Sequence, residues 1–534
     1  MTKPSKNMVA LSDLPEVARS LWSGQVTVSV KAEKQMALVD CQPAVLPEVC
    51  GWLFSNSYSF ATIAVQEGAA GWSLRYIFYG SQGGGFVHVT VELPKDQLVV
   101  PSISLQVHAA DWHEREAEDL FGLTFEGHPK LGDFVLHEEW PEGVNPMRLG
   151  FDPSRRYPHR ESDPVWHPSP IVRSPGAFMM PIGPVYSDQS ESAHFLLETV
   201  GEDVIRTILH LFYKYRGVEK IAEGSAVDRV LLLAERFSGT SAFAHSLAFC
   251  QAVEEIGGVV APARAQALRV LLAELERLRH HVAAIGGICQ STALAVATSQ
   301  ASILEEELLR LAGTATGHRY LFGLNLPGGL SLDFADEECR KIAQSAQAIS
   351  GRLSELQEML RFTNSFLDRV EEVGIVKREA AAAYGLVGPV ARASGIAGDL
   401  RKILPYAFYD QPLRFSVPCE KEGDGYARLR ILFQEAGQSA NLIQEIASSL
   451  PGGPVRMLGF PLRCGSALGW VEAPRGAAFH WVSIGDDGRV TRYHVTTPSF
   501  TNWHGFHLAA EEFAFQDFPI ILATFGLSNA ESDR

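Results

Sequence analysis

The sequence predicts an α+β protein, with a small N-terminal α+β domain followed by a mainly α domain that has a helical-bundle core and a small antiparallel sheet. Three observations support this prediction. Short runs of β-branched and aromatic residues follow one another within the first 100 residues. A segment dense in Pro, Arg, His and Ser then interrupts the pattern. Beyond it, apolar residues recur at three- and four-residue steps.

The N-terminal strands are predicted from the runs QVTVSV, FATIAVQ and LRYIFY, which lie between turn signals. In FVHVTVEL, the apolar residues Val87 to Leu93 alternate with His88, Thr90 and Glu92, which is typical of a strand with one buried face. The preceding GSQGGG at 80–85 has no following GK[ST] and runs directly into that strand, so it indicates a hairpin turn and not a phosphate-binding loop.

Residues 151–175 favour an extended connector, because proline disfavours helix at its own position and at the preceding residue. We therefore expect a first domain over 1–150, a linker over 151–178 and a second domain over 179–534.

Helices of the second domain are predicted from apolar periodicity. After Pro262, leucines recur at helical spacing until Gly286 and Gly287, which we expect to end the helix. Similar patterns cover 303–313, 336–370 and 431–449, while FHWVSI, GDDG and RVTRYHV predict an antiparallel hairpin near the end.

Bulk composition excludes several classes of function. The formal charge of −16 disfavours binding to nucleic acid. The seven cysteines form no CxxC pair, which indicates reduced, mostly buried thiols without a zinc or iron-sulfur ligand set. No run of about 18 apolar residues and no signal peptide is present, so a cytoplasmic chain is expected. No GxGxxG unit follows a strand, so direct NAD binding is not expected.

The segment WHEREAEDLFGLTFEGHP at 112–129 predicts an exposed charged helix that turns into a packed loop. As a string it resembles the signature of the thirty-kilodalton-type subunit of respiratory complex I, and the resemblance extends over roughly the first 150 residues. That family's subunit holds no cofactor, which implies a role in assembly.

The second domain resembles the forty-nine-kilodalton-type subunit of complex I. It resembles more closely the large subunits of group 4, energy-converting [NiFe] hydrogenases, and the fusion of the two subunit types resembles formate hydrogenlyase large subunits. The resemblance rests on PIGPVYSDQSESAHF from Pro181, FYKYRGVEKIAE at 212–223, ERFSGTSAFAHSLAFCQAVEE at 235–255, GLNLPGG at 323–329, GLVGPVARASGIAGDLRK at 385–402 and TPSFTNWHG at 497–505.

The chain departs from those hydrogenases at the four thiolates that hold nickel and iron. The first pair of positions carries Ser238 and Ser241, and the second carries Ser528 and Glu531. A nickel-iron centre requires soft thiolates, whereas serine hydroxyls are hard and stay protonated near neutral pH. Neither a bound metal nor hydrogen activation is therefore expected. A hard-metal site made of one carboxylate and three hydroxyls is a weaker alternative.

The resemblance to complex I implies a quinone as candidate ligand, bound by a histidine and a tyrosine. His194 matches the histidine, but Gly239 stands at the tyrosine position. His245 is a second candidate contact. Glu219 resembles a carboxylate of the hydrogenase proton path, and Arg475 resembles the arginine over the metal site. For His194 and His245 the alternative is an ordinary hydrogen-bonded histidine, and for Glu219 and Arg475 an interior ion pair.

The resemblance further implies that the chain itself holds no cofactor. Iron-sulfur clusters would lie in a small partner subunit, and antiporter-like and other integral membrane subunits would hold the chain peripherally at the inner face of the cell membrane. Two functions remain open: a redox subunit that shapes an acceptor cavity, and a non-catalytic scaffold or coupling subunit. A family fold fixes docking surfaces but not activity, so the sequence does not decide between them.

Overall fold

The structure, a computed structural model, describes residues 8–161, 170–173, 175–185 and 191–534. Part of the expected connector and part of the PIGPVYSDQSESAHF segment, including Tyr186, lie outside the described residues. The chain divides into two units. The first comprises Met1–Ile171, His210–Tyr215 and Ala383–Gly385, and the second comprises Val172–Leu209, Arg216–Ala382 and Leu386–Arg534. Helices and strands occur in both, which confirms the predicted α+β class.

The first unit is built on a five-stranded sheet with strand order β1-β2-β5-β4-β3, in which only the β2–β5 pairing is parallel. The GSQGGG segment connects β4 to β5 as the predicted hairpin. A short parallel pair, β6 and β7, lies outside this sheet. The strands of this unit are β1 (Val26–Lys31), β2 (Met36–Cys41), β3 (Tyr58–Glu67), β4 (Gly71–Gly80), β5 (Phe86–Pro94), β6 (Val99–Pro101) and β7 (Thr124–Glu126).

Strand β5 is buried on both faces, whereas the alternation of its residues predicted one exposed face. It lies in the middle of the sheet, and both His88 and Thr90 are buried. Burial lowers the pKa of His88 to about 3, and the imidazole is therefore neutral. Alternation alone could not reveal that a second layer covers the polar face.

The helices of the first unit are α1 (Leu14–Leu21), α2 (Leu46–Ser55) and α3 (Asp111–Phe121). Helix α3 carries the WHEREAEDLF segment, and the prediction that its charges are exposed was wrong, because Glu114 and Arg115 are buried. The Glu114 carboxylate accepts hydrogen bonds from the Ser102 hydroxyl and the Ile103 backbone N–H, at 2.5 and 2.8 Å. These hydrogen bonds allow Glu114 to lie in the core.

The second unit is centred on long packed helices, in which α7 lies against α8 and α14, and α9 packs on both α8 and α14. This confirms the predicted helical bundle. Its helices are α4 (Val218–Ala222), α5 (Val227–Arg236), α6 (Ala242–Gly257), α7 (Ala263–Ser291), α8 (Ala295–Thr316), α9 (Asp336–Arg361), α10 (Asn364–Val370), α11 (Arg378–Ala383), α12 (Gly388–Ala393), α13 (Leu400–Ile403), α14 (Gly425–Ser448), α15 (Pro498–Ala509), α16 (Phe518–Phe525) and α17 (Asn529–Ser532).

Helix α7 continues through Gly286 and Gly287, which were expected to end it. A Cβ atom built on Gly286 would lie 3.1 Å from the Cβ of Ala301 in α8. Gly286 is thus a site of close helix–helix contact and not a terminator, and packing between the helices offsets its low helix propensity.

Three small sheets complete the second unit. One has the strand order β16-β10-β9-β8, the β11–β12 pair is a two-stranded ribbon, and β13-β14-β15 packs on α6. The hairpin predicted from FHWVSI and RVTRYHV is confirmed as β14 and β15. The strands are β8 (Ala177–Ile182), β9 (His194–Val200), β10 (Asp203–His210), β11 (Asn325–Leu326), β12 (Gly329–Leu330), β13 (Gly465–Ala473), β14 (Gly476–Ile484), β15 (Val490–Thr496) and β16 (Glu511–Ala514).

Two further expectations concern cysteines and membrane spans. All seven cysteines are free thiols; Cys419 and Cys464 are exposed and the other five are buried. Among the described helices, none combines the length and the apolar character that crossing a membrane requires.

Candidate functional site

A cavity of about 290 Å³ opens in the second unit beside the 3₁₀ turn Gly239–Ser241, which leads into α6. The turn after α8 and the start of α17 form the other walls. We call it the serine cavity; its lining residues are Glu191, Ser238, Gly239, Thr240, Tyr320, Phe322, Ser528 and Ala530.

Behind this lining, Glu531 is the centre of a buried polar cluster. Its Oε1 atom accepts hydrogen bonds from Ser238 Oγ and Arg475 Nη1, both at 3.1 Å, and its Oε2 atom accepts one from Ser499 Oγ. The residue is fully buried. Burial by itself raises the pKa of Glu531, but the Arg475 charge, the nearby His245 imidazole and the Ser499 hydrogen bond outweigh it and hold the pKa well below its ordinary value. Glu531 is therefore an ionised carboxylate.

Arg475, in the tight turn between β13 and β14, connects three separate segments. Its Nη1 atom donates to Thr240 Oγ1 at 3.0 Å and to Ser241 Oγ at 3.3 Å, in addition to Glu531. Its Nε atom donates to the carbonyl of Gly526 at 2.7 Å. The guanidinium thus links the 3₁₀ turn to the C-terminal segment.

Ser528 is held from a different side, by a carboxylate that was not predicted from the sequence. Its hydroxyl lies 3.0 Å from Glu191 Oε1, and the same carboxylate accepts from the backbone N–H groups of Asn529 and Ala530. These N–H groups open α17, where unpaired donors and the helix dipole favour a negative charge. The backbone N–H of Ser528 also donates to Ser499 Oγ at 3.1 Å, which joins Ser528 to the Glu531 cluster.

His245, in the first turns of α6, belongs to a chain of buried hydrogen bonds. Its Nδ1 atom lies 3.0 Å from His480 Nε2, and His480 Nδ1 lies 2.9 Å from the Tyr493 hydroxyl. The Nε2 atom of His245 is 3.9 Å from Glu531 Oε1, which is too long for a hydrogen bond. Burial holds the pKa of His480 well below its ordinary value, so that imidazole is neutral.

Glu219, in α4, lies in a separate cluster. Its carboxylate accepts from Arg492 Nη2 at 2.8 Å, and it lies 3.0 Å from His494 Nδ1 and 3.5 Å from Arg534 Nε. Burial raises the pKa of Glu219, but His494 and Arg492 outweigh it and place the pKa well below its ordinary value. This geometry favours the interior ion pair over a proton carrier, because the group holds no proton near neutral pH.

His194 is the first residue of β9 and is half-buried. Burial lowers its pKa, so its imidazole is neutral near pH 7. Glu191, three residues earlier in the chain, lines the serine cavity, whereas His194 is not among its lining residues.

Glu276, in α7, is a second buried carboxylate close to the cavity. It accepts hydrogen bonds from the backbone N–H groups of Phe243 and Ala244 at the start of α6, at 2.8 and 3.0 Å. Burial raises its pKa to about 7, although these hydrogen bonds oppose the shift. A void of about 10 Å³ between Glu276 and Tyr320 is large enough for one water molecule. Tyr320 also lines the serine cavity, so it stands between Glu276 and that space.

The residues of this site do not fit a nickel-iron centre. The four positions that hold thiolates in the resembling hydrogenases carry three hydroxyls and one carboxylate. That carboxylate is already neutralised by Arg475 and accepts three hydrogen bonds. Hydroxyl and carboxylate oxygens are hard ligands, and the Glu531 oxygens already accept hydrogen bonds from protein donors. They are therefore poor ligands for a soft metal.

Six of the eight predicted site residues therefore lie in one region: Ser238, Ser241, His245, Arg475, Ser528 and Glu531. Four further residues of the region were not predicted: Glu191, Glu276, Tyr320 and Ser499. Tyr320 lies three residues before GLNLPGG, and Ser499 lies within TPSFTNWHG, so two of the quoted segments could have pointed to them. Glu191 lies within the quoted PIGPVYSDQSESAHF segment, whereas Glu276 carried no distinguishing signal.

Comparison with known proteins agrees with this architecture. The family described as "Respiratory-chain NADH dehydrogenase, 49 Kd subunit" matches residues 288–458 and 455–534, and "Respiratory-chain NADH dehydrogenase, 30 Kd subunit" matches residues 39–157. Such a fusion defines a large subunit of the complex I-like, hydrogenase-related class. The chain belongs to this family of fused 30 and 49 Kd-type subunits, to which formate hydrogenlyase large subunits also belong.

Three relatives illustrate the range of the family. "Formate hydrogenlyase subunit 5" of Escherichia coli (strain K12) is 32% identical over 456 residues, which cover 84% of this chain and 79% of the relative. "Hydrogenase-4 component G" of the same organism is 28% identical over 517 residues, covering 96% and 88%. The fused C/D-type polypeptide of NADH-quinone oxidoreductase from Bdellovibrio bacteriovorus is 29% identical over 384 residues, covering 71% and 68%.

Proposed function

We propose that this chain is the large subunit of a membrane-associated oxidoreductase complex, and that its serine cavity receives the headgroup of a quinone-like electron acceptor. The observation that carries the proposal is the lining of the cavity, which combines hydroxyl groups with two aromatic side chains in about 290 Å³. That volume lies near the lower end of small-molecule pockets, which span about 300–1,000 Å³.

A quinone headgroup is a planar ring with two carbonyl oxygens, which accept hydrogen bonds. Thr240 and Tyr320 supply hydroxyl donors, and the rings of Tyr320 and Phe322 offer apolar faces against which a flat ring can pack. Tyr320 thereby supplies the phenol that is missing at Gly239. Arg475 donates to Thr240 Oγ1, so the Thr240 hydroxyl keeps its own proton for a hydrogen bond to the acceptor.

Reduction of a quinone to its hydroquinone takes two electrons and two protons. In this proposal the electrons come from the iron-sulfur clusters of a small partner subunit. His194 is not among the residues that line the cavity, so its role as a hydrogen-bond donor stays a prediction, and Glu276 replaces Glu219 as the candidate proton carrier. A carboxyl group with a pKa of about 7 is half-protonated at neutral pH, whereas Glu219 is fully ionised.

The partners and the location are also proposals. Two relatives are named as subunits of NADH-quinone oxidoreductase and of formate hydrogenlyase, which supports placing this chain in a complex of several subunits. The partners that we propose are an iron-sulfur small subunit and integral membrane subunits. Peripheral association with the inner face of the cell membrane follows from such partners.

Filling the cavity tests the proposal. A Cβ atom added to Gly239 meets nothing closer than Phe322 Cζ at 3.9 Å, so Gly239→Leu extends into open space. The matched control is Gly287→Leu, where an added Cβ also meets no atom within 4 Å. We expect the purified Gly239→Leu complex to retain its subunits and lose at least 90% of its quinone reductase activity, as an order-of-magnitude criterion. The Gly287→Leu complex should keep that activity.

A second candidate function is a non-catalytic scaffold. The observation that favours it is the internal satisfaction of Glu531, whose charge and hydrogen bonds are met by Arg475, Ser238 and Ser499. Such a cluster is stable without any ligand. If Gly239→Leu assembles normally and reduces quinone at the unaltered rate, the acceptor-cavity proposal is wrong and the scaffold is favoured.

A further inference from the structure

The first unit contains a cluster of two histidines and one carboxylate that the proposed function does not use. His137 and Glu138 lie in the loop after β7, and His210 is the last residue of β10. One potential ligand atom from each of the three lies within 4.8 Å of the others. The His210 Nε2 atom is 3.8 Å from Glu138 Oε1, and the two imidazole centroids are 4.2 Å apart.

One ring nitrogen of each histidine lies within hydrogen-bond distance of a neighbouring group. His137 Nε2 lies 2.8 Å from the carbonyl oxygen of Leu211, and His210 Nδ1 lies 3.2 Å from the Tyr213 hydroxyl. A histidine that ligates a metal typically uses one nitrogen for the metal and the other for such a hydrogen bond, which fixes the tautomer and the ring orientation. In such a site Nδ1 of His137 and Nε2 of His210 would be the ligand atoms.

The loop that carries His137 and Glu138 is fixed on both sides. The Asp119 carboxylate accepts hydrogen bonds from the backbone N–H groups of Phe134, Val135 and Leu136, at 2.8 to 3.1 Å. Arg160 donates to the carbonyl of Glu138 at 2.7 Å. The Arg160 charge is itself neutralised by Asp133, so it does not oppose a bound cation.

We propose that His137, Glu138 and His210 bind a divalent transition-metal ion of the zinc class. Two imidazole nitrogens and one carboxylate oxygen are donors that zinc prefers, and water would complete a tetrahedral set. Tetrahedral ligands about 2.0–2.2 Å from the metal lie about 3.3–3.5 Å apart, so modest side-chain rotation would close the site. Side-chain exposures of 11% for His210 and 30% for Glu138 leave a path for the ion.

The test uses the full-length chain without a polyhistidine tag, stripped of metal by dialysis against a chelator. Titration with Co²⁺, followed by visible absorption, and with Zn²⁺, followed by calorimetry, should show one site. Glu138→Gln and His210→Gln should each weaken binding at least tenfold. Tyr213→Phe, which removes only the group that orients His210, should weaken it by about 10- to 100-fold.

The matched control is His507→Gln, which removes a half-exposed histidine that lies 3.9 Å from one carboxylate, that of Glu511. It should bind Zn²⁺ like the unaltered chain. Thermal transitions recorded without metal establish that each variant is folded, and Glu138→Gln preserves side-chain shape. Binding that survives unchanged in Glu138→Gln and His210→Gln, or no binding by the unaltered chain, overturns the proposal.

Discussion

Replacing Arg475 by Met should destabilise the second unit strongly, because it leaves a fully buried carboxylate without its cation. Glu531 has an exposed fraction of 0%, and its ion pair with Arg475 spans 3.1 Å. Removing one partner of a buried pair costs about 3–5 kcal/mol. The control Arg310→Met breaks the exposed pair with Glu306, and its unfolding should stay close to that of the unaltered chain.

The pH dependence gives a second, independent readout. In the unaltered chain the pKa of Glu531 is low, so its stabilising contribution is present at neutral pH and is lost only as pH falls through that low value. In Arg475→Met, burial dominates and the pKa of Glu531 rises above that of the unfolded chain. The folded variant then gains stability by taking up a proton, and its deficit relative to the unaltered chain should shrink as pH falls from 8 to 5.

The assay is urea unfolding followed by the fluorescence of the nine tryptophans. Midpoints at pH 5 and pH 8 are compared between variants, because a chain of 534 residues in two units does not unfold in one step. The double variant Arg475→Met/Glu531→Gln should be less destabilised than the sum of its single variants, by about 0.5–3 kcal/mol. If Arg475→Met unfolds at the same midpoint as Arg310→Met at both pH values, the ion-pair account of the site is refuted.

Four further predictions concern Glu276, Glu219 and the metal content of the serine positions. Because the pKa of Glu276 is raised to about 7, its stabilising contribution is lost as pH rises from about 4.5 through 7. The unfolding midpoint of Glu276→Gln should therefore decline less over that pH range than the midpoint of the unaltered chain. An equal decline in both chains would contradict the raised pKa of Glu276. In the assembled complex the same variant should flatten the pH profile of quinone reduction near pH 7. Glu219→Gln removes the negative charge between Arg492 and Arg534 and should lower the free energy of unfolding by about 3–5 kcal/mol. It should leave the pH profile of quinone reduction unchanged. A shifted profile would favour Glu219 as a proton carrier. A Glu138→Gln chain purified from nickel-supplemented cells should contain far less than one nickel per chain by mass spectrometry, and near-stoichiometric nickel would show that the serine positions do hold the metal.

Patterns that arise within one element were predictable from the sequence. The β14–β15 hairpin, the β4–β5 turn and helices α7, α9 and α14 all follow from local periodicity and turn residues. The errors arose where a second layer decides the outcome. Gly286 continues a helix because α8 packs closely on it, and the polar face of β5 is covered.

The site was only partly predictable, for a related reason. The substituted positions Ser238, Ser241, Ser528 and Glu531 were found because the resemblance marks them along the chain. Glu191 and Glu276 act through backbone N–H groups at the starts of α17 and α6, to which they come close only in the folded chain. The quoted PIGPVYSDQSESAHF segment contains Glu191 but does not mark that residue, and nothing in the local sequence distinguishes Glu276 from a surface glutamate.

The replacement of four thiolates by oxygen raises the question of what now joins the two segments that a metal centre would bridge. The ion pair of Arg475 and Glu531 supplies that connection: Arg475 contacts Thr240 and Ser241 on one side, and Gly526 and Glu531 on the other. Arginine suits this position because its planar guanidinium has five N–H donors, enough to contact both segments at once. Because Arg475 donates to Thr240 Oγ1, the Thr240 hydroxyl can still donate a hydrogen bond to an uncharged acceptor in the cavity. The same substitutions therefore fit a polar cavity better than they fit a nickel-iron centre.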